Sequence, residues 1–496
     1  MLKNCLFILI FLATISNSLA QITISENCKH AQLDIMSLKF SQAESLIKAE
    51  KVINPSNVYP YYLENYIDIL KIIISEDEEI FDLAEDNKAE RIKIVESIND
   101  SSPYRNYLLA NINLQWAIAR LKFNEYFTAA IEINRAYRLI EENTLKFPEF
   151  HPNKITHGTI KIMIGLVPEK YNWLLNMISM EGNVEQGIDE LYKVLLLSKN
   201  DTNYTYLREE ALFYLGFIEL NVSPSKENSL KLLPEIKPLA DSSLLFAYLS
   251  INILVKTGQN FEVSLMFNKV KKRDEYYPFH YLDYLYADFY LMSLDTENAR
   301  KYYTKFLKQF KGKNYIKDAW RKIAWTYLLE NNNELYFISL SNVDTHGYKD
   351  IGKDKEAQKE FDSGELPNTD LLKARLLFDG FYFTEADSVL KNTNEQTFDF
   401  DQRLEKTYRQ ARIKHLTNNI LEAKVLYKSM VLNAELTENY YPANSALKLG
   451  EIYEIQDSLD MAYYYYKKCT QMDFSQYENG IKSKAKVGIR RVEKDK

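Results

Sequence analysis

The chain has 496 residues and carries 62 Lys and Arg against 69 Asp and Glu, which gives a formal net charge of −7. It contains 14 Gly and 12 Pro, and this low content of turn-forming residues argues against β-sandwiches, barrels, collagen-like chains and low-complexity proteins. A hydrophobic fraction of 46% excludes wholesale disorder, and the acidic balance disfavours nucleic-acid binding, which needs clustered Lys and Arg.

Residues 1–20 have the pattern of a signal peptide. Lys3 precedes the apolar stretch 6–15, and the small residues Ser18 and Ala20 precede the expected cleavage site. The apolar stretch is too short to span a bilayer, and no later segment has the length and apolar content of a transmembrane helix. We therefore expect an exported protein that is periplasmic or peripherally associated with the cell envelope.

Cleavage leaves Cys28 and Cys469 in the mature chain. An exported protein of this size with so few Cys does not depend on disulfides for its stability. We expect both to be free, packed on helices as small apolar residues.

Residues 21–200 predict a divergent helical region. Apolar spacing indicates long helices over 61–75 and 82–98, and a helix pair over 171–180 and 184–198.

A repeated spacing of small and aromatic residues marks the regions 201–341 and 370–496. A small residue is followed by an aromatic residue three positions later, an Ala nine positions beyond that, and a second aromatic residue four positions further on. The two clearest copies are Ala287, Tyr290, Ala299 and Tyr303, and Gly450, Tyr453, Ala462 and Tyr466. Spacings of three and four lie on one helical face, so each copy predicts two helices that pack closely at their small residues.

This pattern resembles the tetratricopeptide repeat, and the chain is similar to exported tetratricopeptide-repeat proteins of the Bacteroidetes. The small residues recur at steps of 37, 50, 37 and 39, at Ala287, Ala324, Ala374, Ala411 and Gly450. These steps are longer than the family's repeat of about 34 residues. The resemblance implies an all-α superhelix, a solenoid of stacked helical hairpins, and it brings no known activity with it.

The long step contains residues 342–369, a polar stretch that holds Gly347, Gly352, Gly364 and Pro367. We interpret this stretch as a loop or insertion. The region 370–496 is expected to end in a polar capping helix, because the last repeat of a stacked array must present a soluble face.

No motif for phosphate binding, nucleophilic catalysis or zinc binding occurs in the sequence. His151 and His157, with Glu149 beside them, offer a weak alternative as a surface metal site. We therefore predict no catalytic residue, no metal and no cofactor, and a protein that is not an enzyme.

The resemblance also implies which residues face a partner, because the first helix of each tetratricopeptide pair lines the concave groove. The positions that correspond to this face in the middle three repeats combine Arg with aromatic residues, at Arg321, Trp325, Arg375, Phe378, Tyr408 and Arg412. Arg binds carboxylates bidentately and aromatic rings bury large areas, so this composition is typical of binding hot spots.

We therefore expect a non-enzymatic scaffold that binds a protein or peptide partner, through an acidic or C-terminal segment of that partner. The alternative is a glycan-uptake accessory protein on the same kind of helical scaffold. That role predicts an exposed aromatic platform and a lipid anchor, and no Cys stands at the expected cleavage site to carry the anchor.

Overall fold

The computed structural model describes residues 22–167, 182–221, 225–270 and 275–494. The predicted signal peptide and the predicted helix over 171–180 lie outside these residues. Packing divides the chain into two compact units, Met1–His280 and Tyr281–Lys496, whereas the sequence analysis divided the mature chain after residues 200, 341 and 369.

The regular secondary structure of the described residues is helical and contains no β-strand. Helices that are neighbours in the chain pack together as pairs in both units. The predicted all-α fold of stacked helical hairpins is therefore confirmed. The helices of the first unit are α1 (Glu26–Ser37), α2 (Phe40–Ile53), α3 (Tyr59–Ser75), α4 (Glu78–Glu96), α5 (Pro103–Lys122), α6 (Tyr126–Lys146), α7 (Asn153–Gly165), α8 (Val184–Asn200), α9 (Arg208–Asn221), α10 (Lys226–Ile236), α11 (Leu244–Thr257) and α12 (Asn260–Val270).

The second unit contains the repeats that the sequence marked most clearly. Its helices are α13 (Tyr281–Met292), α14 (Thr296–Gln309), α15 (Ile316–Leu329), α16 (Asn333–Leu340), α17 (Asn342–Thr345), α18 (Gly352–Ser363), α19 (Thr369–Asp379), α20 (Phe383–Asn392), α21 (Phe400–Leu416), α22 (Ile420–Leu432), α23 (Tyr441–Ile455), α24 (Leu459–Gln471) and α25 (Glu478–Lys494). The last of these, α25, packs on α24 and α23 at the end of the stack, where the capping helix was expected.

Local chemistry explains where several helices begin and end. Asp295 caps α14 by accepting a hydrogen bond from the backbone N–H of Asn298 at 3.1 Å. Asp457, at the corresponding place in the second clear copy, does not cap α24, because it has φ 55° in the turn after α23 and the residue before α24 is Ser458. Gly258 ends α11 with φ 77°, a left-handed conformation that favours glycine.

The small residues of the repeat lie in the cores between paired helices. Ala287 and Ala299 are fully buried in the core that α13 and α14 share. At the second clear copy, a Cβ atom added to Gly450 would lie 2.5 Å from the ring of Tyr466. A Cβ atom added to Gly488 of α25 would lie 2.6 Å from the same ring. The Tyr466 ring thus requires glycine on both of these helices.

A Gly450→Ala variant tests this contact. The added methyl group meets a fully buried ring that has no room to move, so we expect the second unit to lose about 1–3 kcal/mol of stability. Chemical denaturation followed by circular dichroism measures the loss. Gly480→Ala is the matched control, because nothing lies within 4 Å of its added Cβ. Equal stability of the two variants would contradict the proposed close approach.

The first unit departs from a simple array, in which each repeat contacts only its neighbours. Its first helix, α1, also contacts α9 and α11. The Ser243 hydroxyl donates to the backbone carbonyl of Met36 at 2.8 Å. The backbone N–H of Tyr277 donates to the backbone carbonyl of Leu38, also at 2.8 Å. In this unit, contacts between helices far apart in the chain therefore add to those between neighbouring hairpins.

The segment 342–369 contains helices α17 and α18 where a loop was one of the expected forms. The Asp354 carboxylate of α18 accepts hydrogen bonds from the backbone N–H groups of Tyr315 and Asp318, at 2.7 and 2.9 Å. These groups belong to the first turn of α15, which has no side-chain cap of its own. The Asp354 carboxylate thus anchors the segment by accepting hydrogen bonds from free backbone N–H groups at the start of α15.

Cys28 and Cys469 are buried and free, as predicted. Among the described helices, none combines the length and the apolar content needed to cross a bilayer.

Candidate functional site

The structure places the predicted partner-binding residues on three helices of the second unit. Helix α15 carries Arg321 and Trp325, α19 carries Arg375 and Phe378, and α21 carries Tyr408 and Arg412. Helix α19 contacts both α15 and α21. The first helices of successive pairs therefore bring these side chains into one row, which we call the arginine row.

Each arginine of the row lies on an aromatic ring. The guanidinium carbons of Arg321 and Arg375 are 4.6 and 4.5 Å from the centroid of the Trp325 ring. The guanidinium carbon of Arg412 is 5.3 Å from the centroid of Phe378. Cation–π attraction and ring contact hold the planar guanidinium groups in place, so the row is ordered before any partner binds.

The aromatic residues support the arginines and are themselves largely covered. Trp325 and Tyr408 are each only 4% exposed. The Trp325 indole donates to Glu360 of α18 at 2.7 Å, and the Tyr408 hydroxyl accepts from Asn444 at 2.6 Å and from Arg412 at 3.1 Å. A partner would therefore meet the guanidinium groups rather than the faces of these two rings.

Arg321 is already engaged within the chain. It pairs with Asp318, and one of its terminal nitrogens lies 3.9 Å from Glu360. Its side chain is 11% exposed. Asp318 and Glu360 of the protein itself thus already lie beside the Arg321 guanidinium.

Arg375 and Arg412 differ from Arg321 in their ion pairing, whereas a buried Nε atom without a hydrogen-bond partner occurs in both Arg321 and Arg412. Within the described residues, neither forms an ion pair, and Arg375 makes no hydrogen bond. Arg412 donates to Tyr408, while its Nε atom is buried and lacks a hydrogen-bond partner. A guanidinium has five N–H donors, and a buried donor without a partner is costly. These two groups can therefore bind a carboxylate without breaking any ion pair.

Sequence reasoning missed three charged residues beside the row, which are Asp379, Glu405 and Arg409. The Nε atom of Arg409 donates to Glu405 at 2.8 Å, so these two are paired. Burial opposes ionisation of Glu405, but the charges of Arg409 and Arg375 outweigh it and lower the pKa of that carboxyl. Asp379 is exposed and stands one turn from Arg375 on α19. The spacing of four residues between Arg375 and Asp379 could have indicated from the sequence that both side chains lie on the same face of the helix.

A buried charge network lies next to the row, between α13, α15 and α18. Lys322 Nζ is 2.6 Å from an oxygen of Asp288 and 2.8 Å from an oxygen of Asp318. The Tyr284 hydroxyl contacts Asp318 and accepts from Lys322 and Lys353. Burial would raise the pKa of Asp318, but Lys322 and Arg321 hold it well below its usual range. These groups satisfy one another, so the network stabilises the fold and leaves no open chemistry.

A cavity of about 1210 Å³ elsewhere in the second unit contains none of the arginine-row residues. It is lined by Lys359 of α18 and by residues 431–439 and 468–475 in part, with several charged side chains of both signs.

The weak metal alternative at His151 and His157 finds no support in the geometry. His157 lies between Glu141 and Glu190, with its Nδ1 atom 2.9 Å from Glu190, while the ring of His151 packs 5.8 Å from that of Tyr204. In the ranges that the structure describes, no group of three or more His, Cys, Asp or Glu side chains could hold a metal ion.

No protein-family model matches this chain, and a search of curated proteins returns no similar sequence.

Proposed function

We propose that the protein is an exported, non-enzymatic scaffold whose arginine row binds an acidic segment of a protein partner in the cell envelope. The observation that carries this proposal is that Arg375 and Arg412 are held against aromatic rings and have no ion pair in the described residues. Charged groups that are ordered but unpaired have much to gain from a complementary ligand, because the entropy of holding them is already spent.

The helical hairpins support the same proposal. Stacked hairpins present side chains from successive first helices as one surface, which suits the recognition of an extended segment. The resemblance of the repeat to the tetratricopeptide repeat, a scaffold for partner binding, points the same way. Export rests on the composition of residues 1–20.

The test is affinity capture from native envelopes with the mature chain as bait, followed by mass spectrometry. We expect the Arg375→Glu/Arg412→Glu variant to lose a specific partner by at least about tenfold, because each substitution replaces an attraction to a carboxylate with a repulsion. The matched control is Lys486→Glu/Arg490→Glu, which makes the same charge change on exposed residues of α25.

The comparison is valid only if both variants keep the helical circular dichroism and the denaturation midpoint of the wild type. If the Arg375→Glu/Arg412→Glu variant recovers as much partner as wild type, the assignment of the arginine row is contradicted. Loss with both variants would show a general charge effect and would contradict it as well.

A further inference from the structure

The arginine row contains a carboxylate that the proposed function does not use. Asp379 follows Arg375 by four residues on α19, so the two side chains leave the same face of the helix. Cβ atoms at this spacing are about 5–6 Å apart, which is close enough for an ion pair. Other charged side chains four residues apart in this unit do pair, such as Arg409 with Glu405 and Lys391 with Asp387, where the acidic residue comes first in the helix.

Arg375 and Asp379 nevertheless remain apart. The Arg375 guanidinium lies on the Trp325 ring of α15, 4.5 Å from its centroid, and this contact directs it away from its own helix. Asp379 is exposed, and neither residue has an ion pair or a hydrogen bond through its side chain in the described part of the chain. The hydrogen bonds of the nearby Arg409 go to Glu405, while its charge acts on Asp379 from beyond ion-pair distance, as do the charges of Arg375 and Arg412.

Arg412 completes the arrangement on the next helix. Its guanidinium lies over Phe378, which stands between Arg375 and Asp379 in the sequence of α19. The half-buried Phe378 ring thus belongs to the same helix as Arg375 and Asp379 and lies under Arg412, and within the described residues none of these three charged side chains forms an ion pair. A surface of this kind complements a ligand that carries charges of both signs, since a purely acidic ligand would leave Asp379 facing a like charge.

We propose that this site selects a peptide segment that carries a carboxylate and a basic side chain close together, with the carboxylate on Arg375 and Arg412 and the basic group on Asp379. This inference rests on the proposed function and specifies the chemistry of the partner segment. In this arrangement Arg375 and Arg412 provide the attraction, and Asp379 rejects segments that are acidic throughout.

The experiment uses the mature chain and fluorescein-labelled peptides at low ionic strength, with binding followed by fluorescence anisotropy. The peptides share a Gly and Ser background and differ in their central residues, which are Glu-Gly-Lys, Glu-Gly-Gln, Gln-Gly-Lys or Gln-Gly-Gln. We expect the Glu-Gly-Lys peptide to bind wild type most tightly, followed by the Glu-Gly-Gln peptide.

The Asp379→Asn variant should bind the Glu-Gly-Lys peptide roughly two- to fivefold more weakly, which is the range of a partly exposed ion pair. The same variant should bind the Glu-Gly-Gln peptide at least as tightly as wild type does, because the repulsion is gone. The matched control is Glu385→Gln on α20, which removes one exposed carboxylate of the same unit and should leave both affinities unchanged.

An unchanged preference for Glu-Gly-Lys over Glu-Gly-Gln in the Asp379→Asn variant overturns the inference. The inference is also overturned if wild type binds none of the peptides, or if it binds the Glu-Gly-Gln peptide most tightly. In either case, capture of an envelope partner that still depends on Arg375 and Arg412 would leave the proposed function standing. Failure of that capture, by contrast, would overturn the proposed function itself.

Discussion

A Lys322→Ala substitution is expected to lower the free energy of unfolding of the second unit by about 3 kcal/mol. Lys322 lies within 2.8 Å of carboxylate oxygens on both Asp288 and Asp318, and all three side chains are at most 10% exposed. Removing the Lys322 cation leaves the negative charges of Asp288 and Asp318 in a poorly hydrated region without the positive charge that lies between them. Urea denaturation followed by circular dichroism measures the change.

Lys414→Ala is the matched control for this variant. Lys414 pairs with Glu422 at 2.9 Å in the same unit, and their side chains are 23% and 63% exposed. Water reaches both charges of such a pair, so we expect its loss to cost less than about 1 kcal/mol. Similar costs for the two variants would contradict the view that the network around Lys322 depends on burial.

A Glu210→Gln substitution is expected to reduce the pH dependence of stability in the first unit. Glu210 is 2% exposed, and its carboxylate accepts from the Tyr66 hydroxyl at 3.2 Å and from Gln32 at 3.5 Å. Burial raises its pKa to about 7, although hydrogen bonds from Tyr66 and Tyr214 oppose the shift. The groups around it are Tyr and Gln side chains, and no cation compensates the ionised form among its hydrogen-bond partners.

The sign of the effect follows from linkage. The folded state holds a proton on Glu210 more tightly than the unfolded chain does, whose Glu pKa is about 4.3. The stability that this proton contributes is complete below pH 4 to 5 and is lost as the pH rises through 7. We expect wild type to lose roughly 3 kcal/mol more than the Gln variant between pH 5 and pH 8.5, as measured by denaturation at each pH.

The control for the pH series is Glu227→Gln, an exposed carboxylate of the same unit that pairs only with Lys231. Its stability profile should follow that of wild type. Parallel profiles for wild type and the Glu210→Gln variant would show that the buried carboxyl is not the group that titrates.

Much of the fold could be predicted because the signal is local. The spacing from Ala287 to Tyr303 and from Gly450 to Tyr466 lies within single helix pairs, and both pairs form as predicted. A spacing of three or four residues specifies one face of a helix wherever the helix later packs. For the same reason, the sequence placed the arginines and their aromatic supports on the correct helices.

Contacts between distant residues could not be predicted in this way. Glu210 meets Tyr66 across 144 positions of the chain, and this contact joins α3 to α9. Asp354 caps α15 across 39 positions, which turned an expected loop into an ordered helical segment. A single sequence gives the helical faces, but it does not show which of them meet when they are far apart in the chain.

The sequence by itself determined that this protein consists of helix pairs and that arginine and aromatic residues share one row of their first helices. Only the tertiary structure decided which of those arginines form ion pairs. Arg321 is taken by Asp318 and by Glu360 of α18, whereas Arg375 and Arg412 lie on rings with their charges unpaired. The physical reason is that helical periodicity fixes the direction of a side chain, while its charge is neutralised by whichever group the fold brings within a few ångströms.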